Sequence, residues 1–92
     1  MGLTGDDFRI RIGRHRVEVR GRTGLVAATW TLLVDGAEAA SGEVVRGELP
    51  LETVLPDGTA VRALVRQGAF GPTEVVILDD GEELTRFRGY VA

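Results

Sequence analysis

One histidine (His15), one serine (Ser41) and no cysteine make a thin inventory for catalysis in this 92-residue chain. A nucleophile needs an adjacent base and an orienting group. Ser41 lies in Ala39-Ala40-Ser41-Gly42, without the glycines two residues to either side that a nucleophile elbow requires. His15 falls between Arg14 and Arg16 at an expected turn; it reads as a solvated turn histidine. A lone imidazole without thiolates excludes the usual zinc ligand sets. The acidic run Asp79-Asp80-Gly81-Glu82-Glu83 lacks the alternate-residue oxygen spacing of an EF-hand loop and reads as a charged hairpin tip. The expectation is a protein that is not an enzyme and carries no metal or other cofactor.

Arginine is the residue type whose spacing carries more. All 11 basic residues are arginine, and six of them (Arg9, Arg11, Arg14, Arg16, Arg20, Arg22) fall within the first 23 residues against only Asp6, Asp7 and Glu18. The remaining five arginines face eleven acids, so a chain of net charge -3 has a cationic beginning and an anionic remainder. The exclusive use of arginine also fits a genomic codon bias. If residues 8–20 form a hairpin, Arg9, Arg11, Arg16 and Arg20 share one solvent-facing surface that Arg14 and Arg22 extend. Such a surface attracts anions. An acidic protein partner, or the acidic half of a second copy, suits the charge split, while a merely solubilising face is the plainer reading. Nucleic acid is disfavoured by the pI near 5.1 and by the lack of an RNP-like aromatic motif.

Two glycine-bracketed loops add candidates. Gly21-Arg22-Thr23-Gly24 offers backbone amides, a charge and a hydroxyl to a phosphate, and Gly68-Ala69-Phe70-Gly71 presents Phe70 as a contact residue. Neither is a dinucleotide fingerprint or a P-loop, and a connecting role suits both.

The elements that must position these residues are strands. Phe8-Arg9-Ile10-Arg11-Ile12 alternates cleanly, so Phe8, Ile10 and Ile12 face a core while Arg9 and Arg11 face water. Val17 and Val19 continue the pattern after a turn at Gly13-Arg14, making a hairpin. A third, central strand over Leu25–Val34 carries Trp30 and Leu32 inward. Asp35-Gly36 reverses the chain into a weaker strand from Glu38 to Val45, a stretch whose helical alternative is interrupted by Ser41-Gly42. Pro56-Asp57-Gly58 separates Leu51–Leu55 from Ala60–Arg66, and Asp79-Asp80-Gly81 separates Glu74–Leu78 from Glu83–Val91. Pro50, Pro56 and Pro72 are expected between strands. The strand–Asp-Gly–strand pattern recurs after roughly 45 residues; it reads as turn chemistry, with a faint internal duplication as the other reading.

The fold class expected is therefore all-β: an antiparallel β-sandwich or partly closed barrel of about seven to eight strands joined by hairpins. Its core is expected to hold Phe8, Ile10, Ile12, Val17, Val19, Trp30, Leu32, Val61, Val65, Val75, Ile77 and Phe87. The length allows one domain over 1–92, with a flexible start over 1–6. A core this small hides a modest share of the chain's surface, which makes self-association a natural supplement. The amino terminus shows neither a basic n-region nor an apolar h-region, and the longest apolar run, Leu25–Val34, is half the roughly 20 residues a membrane span needs. The expected location is cytoplasmic, with no membrane association.

From His15 to Glu38 the order of residues resembles the opening of the Fas apoptotic inhibitory molecule family: His15, Val17-Glu18-Val19, Gly21 with Thr23-Gly24, Val34-Asp35-Gly36 and Glu38. The match covers about a quarter of the chain, and that family's aromatic-rich later part is not evident here. The resemblance implies a compact antiparallel β-sandwich-like domain that binds other proteins, without a known catalytic site or cofactor. Together these readings lead to a non-catalytic binding or scaffold domain that recognises a protein partner, or forms a homo-oligomer, through Arg9, Arg11, Arg16, Arg20 and Arg22 with Phe70 as a further contact. The alternative is a small-ligand carrier or enzyme accessory subunit holding an apolar or anionic molecule between the sheets.

Overall fold

The computed structural model describes residues 5–22, 27–68 and 72–90. They form eight antiparallel strands: β1 (Gly5–Ile12), β2 (His15–Arg22), β3 (Ala28–Val34), β4 (Ala37–Val44), β5 (Gly47–Val54), β6 (Ala60–Gln67), β7 (Pro72–Asp79) and β8 (Glu82–Tyr90). Each strand pairs with its sequence neighbour within two separate four-stranded sheets, in the order β1-β2-β3-β4 and β5-β6-β7-β8. The arrangement is sandwich-like. It is not closed into a barrel, because β4 and β5 follow one another in sequence yet belong to different sheets.

Turn chemistry explains the reversals. Asp35-Gly36 and Asp80-Gly81 both take positive φ at each central position (50° and 86°, 49° and 89°), the type I′ geometry whose twist suits a two-residue hairpin. Gly13 takes φ 60° in the β1–β2 turn. In the β5–β6 loop the Gly58 amide donates to the Leu55 carbonyl at 2.8 Å, closing a β-turn with Pro56 at its second position.

The likeness of the two sheets extends beyond those dipeptides. Asp35 accepts the Arg16 amide on its carboxylate at 2.9 Å and donates its own amide to the Arg16 carbonyl at 2.8 Å. Asp80 does the same with Ala60, at 2.9 and 2.8 Å. A register shift follows at the same place in each sheet, between Leu32 and Leu33 and between Ile77 and Leu78, leaving Ala39 and Leu84 as the extra residues of two β-bulges. The first sheet is thus an architectural repeat of the second.

Alternation sorts the side chains. Val17, Val19, Trp30, Leu32, Val61, Val65, Val75 and Ile77 are fully buried between the sheets, joined by Ile12, Leu51, Leu55, Ala28 and Ala63. Phe8, Ile10 and Phe87, expected in the core, are only partly buried and pack against its margin. Phe8 on β1 stacks on Phe87 of β8 with ring centroids 4.9 Å apart, bringing the free edges of the two sheets together.

Several expected boundaries are corrected. Pro50 lies inside β5 and Pro72 opens β7; both positions suit proline, an edge strand and a strand start, where the missing amide hydrogen breaks no ladder. β4 begins at Ala37 and ends at Val44. The expected start of the third strand at Leu25, like the amino terminus over 1–4, lies outside the described residues.

Candidate binding face on the first sheet

Side-chain alternation sends Asp7, Arg9 and Arg11 of β1 and Arg16, Glu18, Arg20 and Arg22 of β2 to the outer face of the first sheet. Register arranges them in cross-strand rows: Arg11 opposite Arg16, Arg9 opposite Glu18, and Asp7 opposite Arg20. Three of the five arginines expected to form this face are anchored by acids. The Glu18 side chain, only 10% exposed, lies 3.0 Å from Arg20 Nη2 and 3.7 Å from Arg9 Nε. Asp7 takes a hydrogen bond from Arg22 Nη1 at 2.8 Å and has Arg20 Nε at 3.5 Å. The Arg22 guanidinium holds the Asp7 carboxyl below the usual carboxylate range, partly opposed by burial and aided by Arg20 and Arg9.

The other end of the face is different. Among the described residues no carboxylate forms an ion pair with Arg11, Arg14 or Arg16. Arg11 and Arg16 nevertheless stand directly opposite one another, an arrangement in which like charges destabilise a sheet. The neighbouring acid is committed elsewhere. Asp35 takes the Arg16 amide on one oxygen and contacts His15 Nδ1 with the other at 2.8 Å. The amide first and then the His15 contact, with a smaller pull from the Arg16 charge, hold its carboxyl below the usual range. Asp57, on the β5–β6 loop, is held low chiefly by the Thr59 amide.

Across the same face the charge reverses. Leu33 pairs with both Glu18 and Glu38, and Thr29 with both Arg22 and Glu43. The outer face therefore runs from arginines on β1 and β2, through Thr29, Thr31 and Leu33, to Glu38 and Glu43 on β4. Neither of these glutamates is in an ion pair among the described residues.

The second sheet provides the contrast. Its outer row Glu48, Arg66, Glu74 and Arg88 alternates in sign from β5 to β8, with contacts of 2.9, 3.6 and 3.6 Å along the row. Arg62 meets Glu52 at 2.7 Å, and Arg86 bridges Glu74 and Glu83 at 3.1 and 2.8 Å. That face is a self-satisfied lattice. A hollow of about 520 Å³ opens on it beside Val54, Ala60, Arg62, Leu78 and Gly81. Its origin lies in the repeat: Arg16 Nη2 reaches over Gly36 in the first sheet, whereas the alanine at the matching position 60 leaves the space by Gly81 unfilled.

Other sequence candidates find structural places. His15 opens β2 and its side chain, 20% exposed, lies 2.8 Å from the Asp35 carboxylate, so the expectation of a solvated turn histidine is corrected to a half-buried one at a strand start. Gly21 serves packing, because a Cβ there would lie 2.7 Å from the Trp30 ring. Thr23, Gly24 and Phe70 lie outside the described residues. Ser41 is exposed opposite Thr31. Among the described residues no group of three or more metal-ligating side chains assembles, and no helix is long and apolar enough to cross a membrane. Of the acids that organise the face, Asp35 was legible only as a turn residue, and the pairing of Asp7 and Glu18 with particular arginines was not legible from sequence. Glu18 carried a signal, being the one acid between arginines on the second arm of the hairpin.

Compared with known proteins, the chain matches no family model, no curated protein and no solved structure.

Proposed function

We propose that this chain is a non-catalytic binding domain that recognises an anionic protein surface through the outer face of its first sheet. Arg9, Arg11, Arg14 and Arg16 make the contacts, and Arg20 and Arg22 extend them. The observation that carries this reading is the directly opposed Arg11 and Arg16 pair, neither of which forms an ion pair among the described residues, in a domain whose other sheet pairs the arginines and glutamates of its outer face. A local rule broken without internal compensation marks a functional position. The thin catalytic inventory supports the same reading.

The test uses a fluorescein-labelled deca-glutamate peptide as probe, read by fluorescence anisotropy. Wild-type protein should bind it, and binding should weaken as NaCl rises from about 20 to about 150 mM, where the screening length shortens to about 8 Å. The double variant Arg9→Glu with Arg11→Glu should lose at least about tenfold in affinity, equivalent to about 1.4 kcal/mol. Arg62→Glu with Arg66→Glu makes the same change in net charge on the other sheet and should lose much less. Equal loss in the two variants would reduce the arginine face to a solubilising one.

The carrier reading now rests on the hollow beside Val54 and Leu78, since the space between the sheets is occupied by Trp30, Leu32 and Ile77. Arg62 at its rim is already engaged by Glu52, which leaves an apolar molecule as the ligand that hollow favours.

A further inference from the structure

The outer face of the first sheet is cationic along one margin and anionic along the other. Arg9, Arg11 and Arg16 occupy β1 and β2, Glu38 and Glu43 occupy β4, and threonines with Leu33 lie between. Such a face is complementary to its own copy turned about a twofold axis parallel to the strands. That operation lays β4 of each copy over β1 of the other and preserves the rows. Glu38 then falls opposite the row of Arg9, one row from Arg11, and Glu43 opposite the row of Arg22. An axis perpendicular to the strands would instead lay β4 over β4, leaving both glutamates without a cation.

We propose that the partner this face recognises is a second copy of the chain, joined by that face-to-face twofold contact. The proposal rests on the reading of this face as the recognition surface and names its occupant. The second sheet offers no equivalent, because the glutamates and arginines of its outer face are already matched to each other within and between rows.

Size sets the expected strength. Four strands about 4.8 Å apart and eight residues long at about 3.3 Å each present roughly 500 Å² per copy, so the dimer buries about 1,000 Å², the lower limit for a specific interface. With this polar composition the dimer should be weak, micromolar or looser, and sensitive to salt.

Sedimentation velocity tests it on the intact chain. Wild-type protein between about 10 and about 500 μM should shift from monomer to dimer at low salt, and the shift should vanish near about 0.5 M NaCl, where screening reaches only a few ångströms. Arg9→Glu with Arg11→Glu should stay monomeric, and so should Glu38→Arg with Glu43→Arg. An equimolar mixture of the two variants should dimerise again, because one carries an acidic face and the other a basic one. A wild-type chain that stays monomeric throughout overturns the proposal, as does a dimer that survives Arg9→Glu with Arg11→Glu. Neither result touches the deca-glutamate titration, which fails separately if the face binds no anion at all.

Discussion

Trp30 occupies a cross-strand row with glycine on both sides, Gly21 on β2 and Gly42 on β4. A Cβ at Gly21 would meet the indole at 2.7 Å, and one at Gly42 would meet Leu49 of the opposite sheet at 2.9 Å. The indole nitrogen donates across the core to Gln67 at 3.3 Å. Trp30 thus ties the sheets together, and Trp30→Ala should lower stability by about 3 to 5 kcal/mol in chemical denaturation. Gly21→Ala should be destabilising too, because the fully buried ring has no space to retreat into; an unchanged denaturation midpoint would contradict this packing. The burial of Trp30 was legible from its place on the apolar side of a strand. Its glycine neighbours were not, because pairing partners depend on register, which the sequence leaves open. Asp35 makes a second residue-scale case. Its folded pKa lies below the unfolded value, so the native state binds fewer protons, and the stability it contributes is present above about pH 4 and lost as pH falls through the lowered pKa. Asp35→Asn should therefore melt lower than wild type at pH 7. The gap should close in acid, which melting curves between pH 7 and pH 2 would reveal.

Hairpins are the elements that aim the charges. Alternation along Phe8–Ile12 and Arg16–Arg20 was enough to place the arginines on one outer face, and the Asp-Gly turns were legible because positive φ at two successive positions selects those residues. The bulges at Ala39 and Leu84 were hidden, since one extra residue in a short strand leaves no pattern to break. The acids were hidden for a related reason: Glu18 and Asp7 neutralise Arg9, Arg20 and Arg22 only in this register. What remains without an ion pair, among the described residues, is the Arg11 and Arg16 pair. Arg11→Glu replaces a like-charged cross-strand pair with an attractive one, worth about 0.2 to 1 kcal/mol. The variant should melt at or above the wild-type temperature while binding deca-glutamate more weakly. If stability and binding fall together, the pair has a structural role and the functional reading loses its main support.

At the scale of the whole molecule, two meanders of like design are stacked with their core faces together. The sequence left sandwich and partly closed barrel open because the β4–β5 link, Val45-Arg46, is as short as a hairpin turn, and nothing in its residues says that β5 leaves the first sheet. Pro50 was the available clue, since proline in a strand belongs at an edge, and β5 is an edge strand. The two outer faces differ in charge: the second sheet's arginines and glutamates there are paired with one another, and the first leaves arginines along one margin and glutamates along the other. A map of where an anionic surface lands on the intact protein tests that difference most directly. In an amide nitrogen–proton NMR titration with unlabelled deca-glutamate at low salt, shifts should concentrate on Arg9–Arg16 and the adjoining Asp35-Gly36 turn, leaving Glu48–Val54 and Glu82–Arg88 unmoved. Shifts centred on the second sheet, or spread evenly over both, would contradict the account.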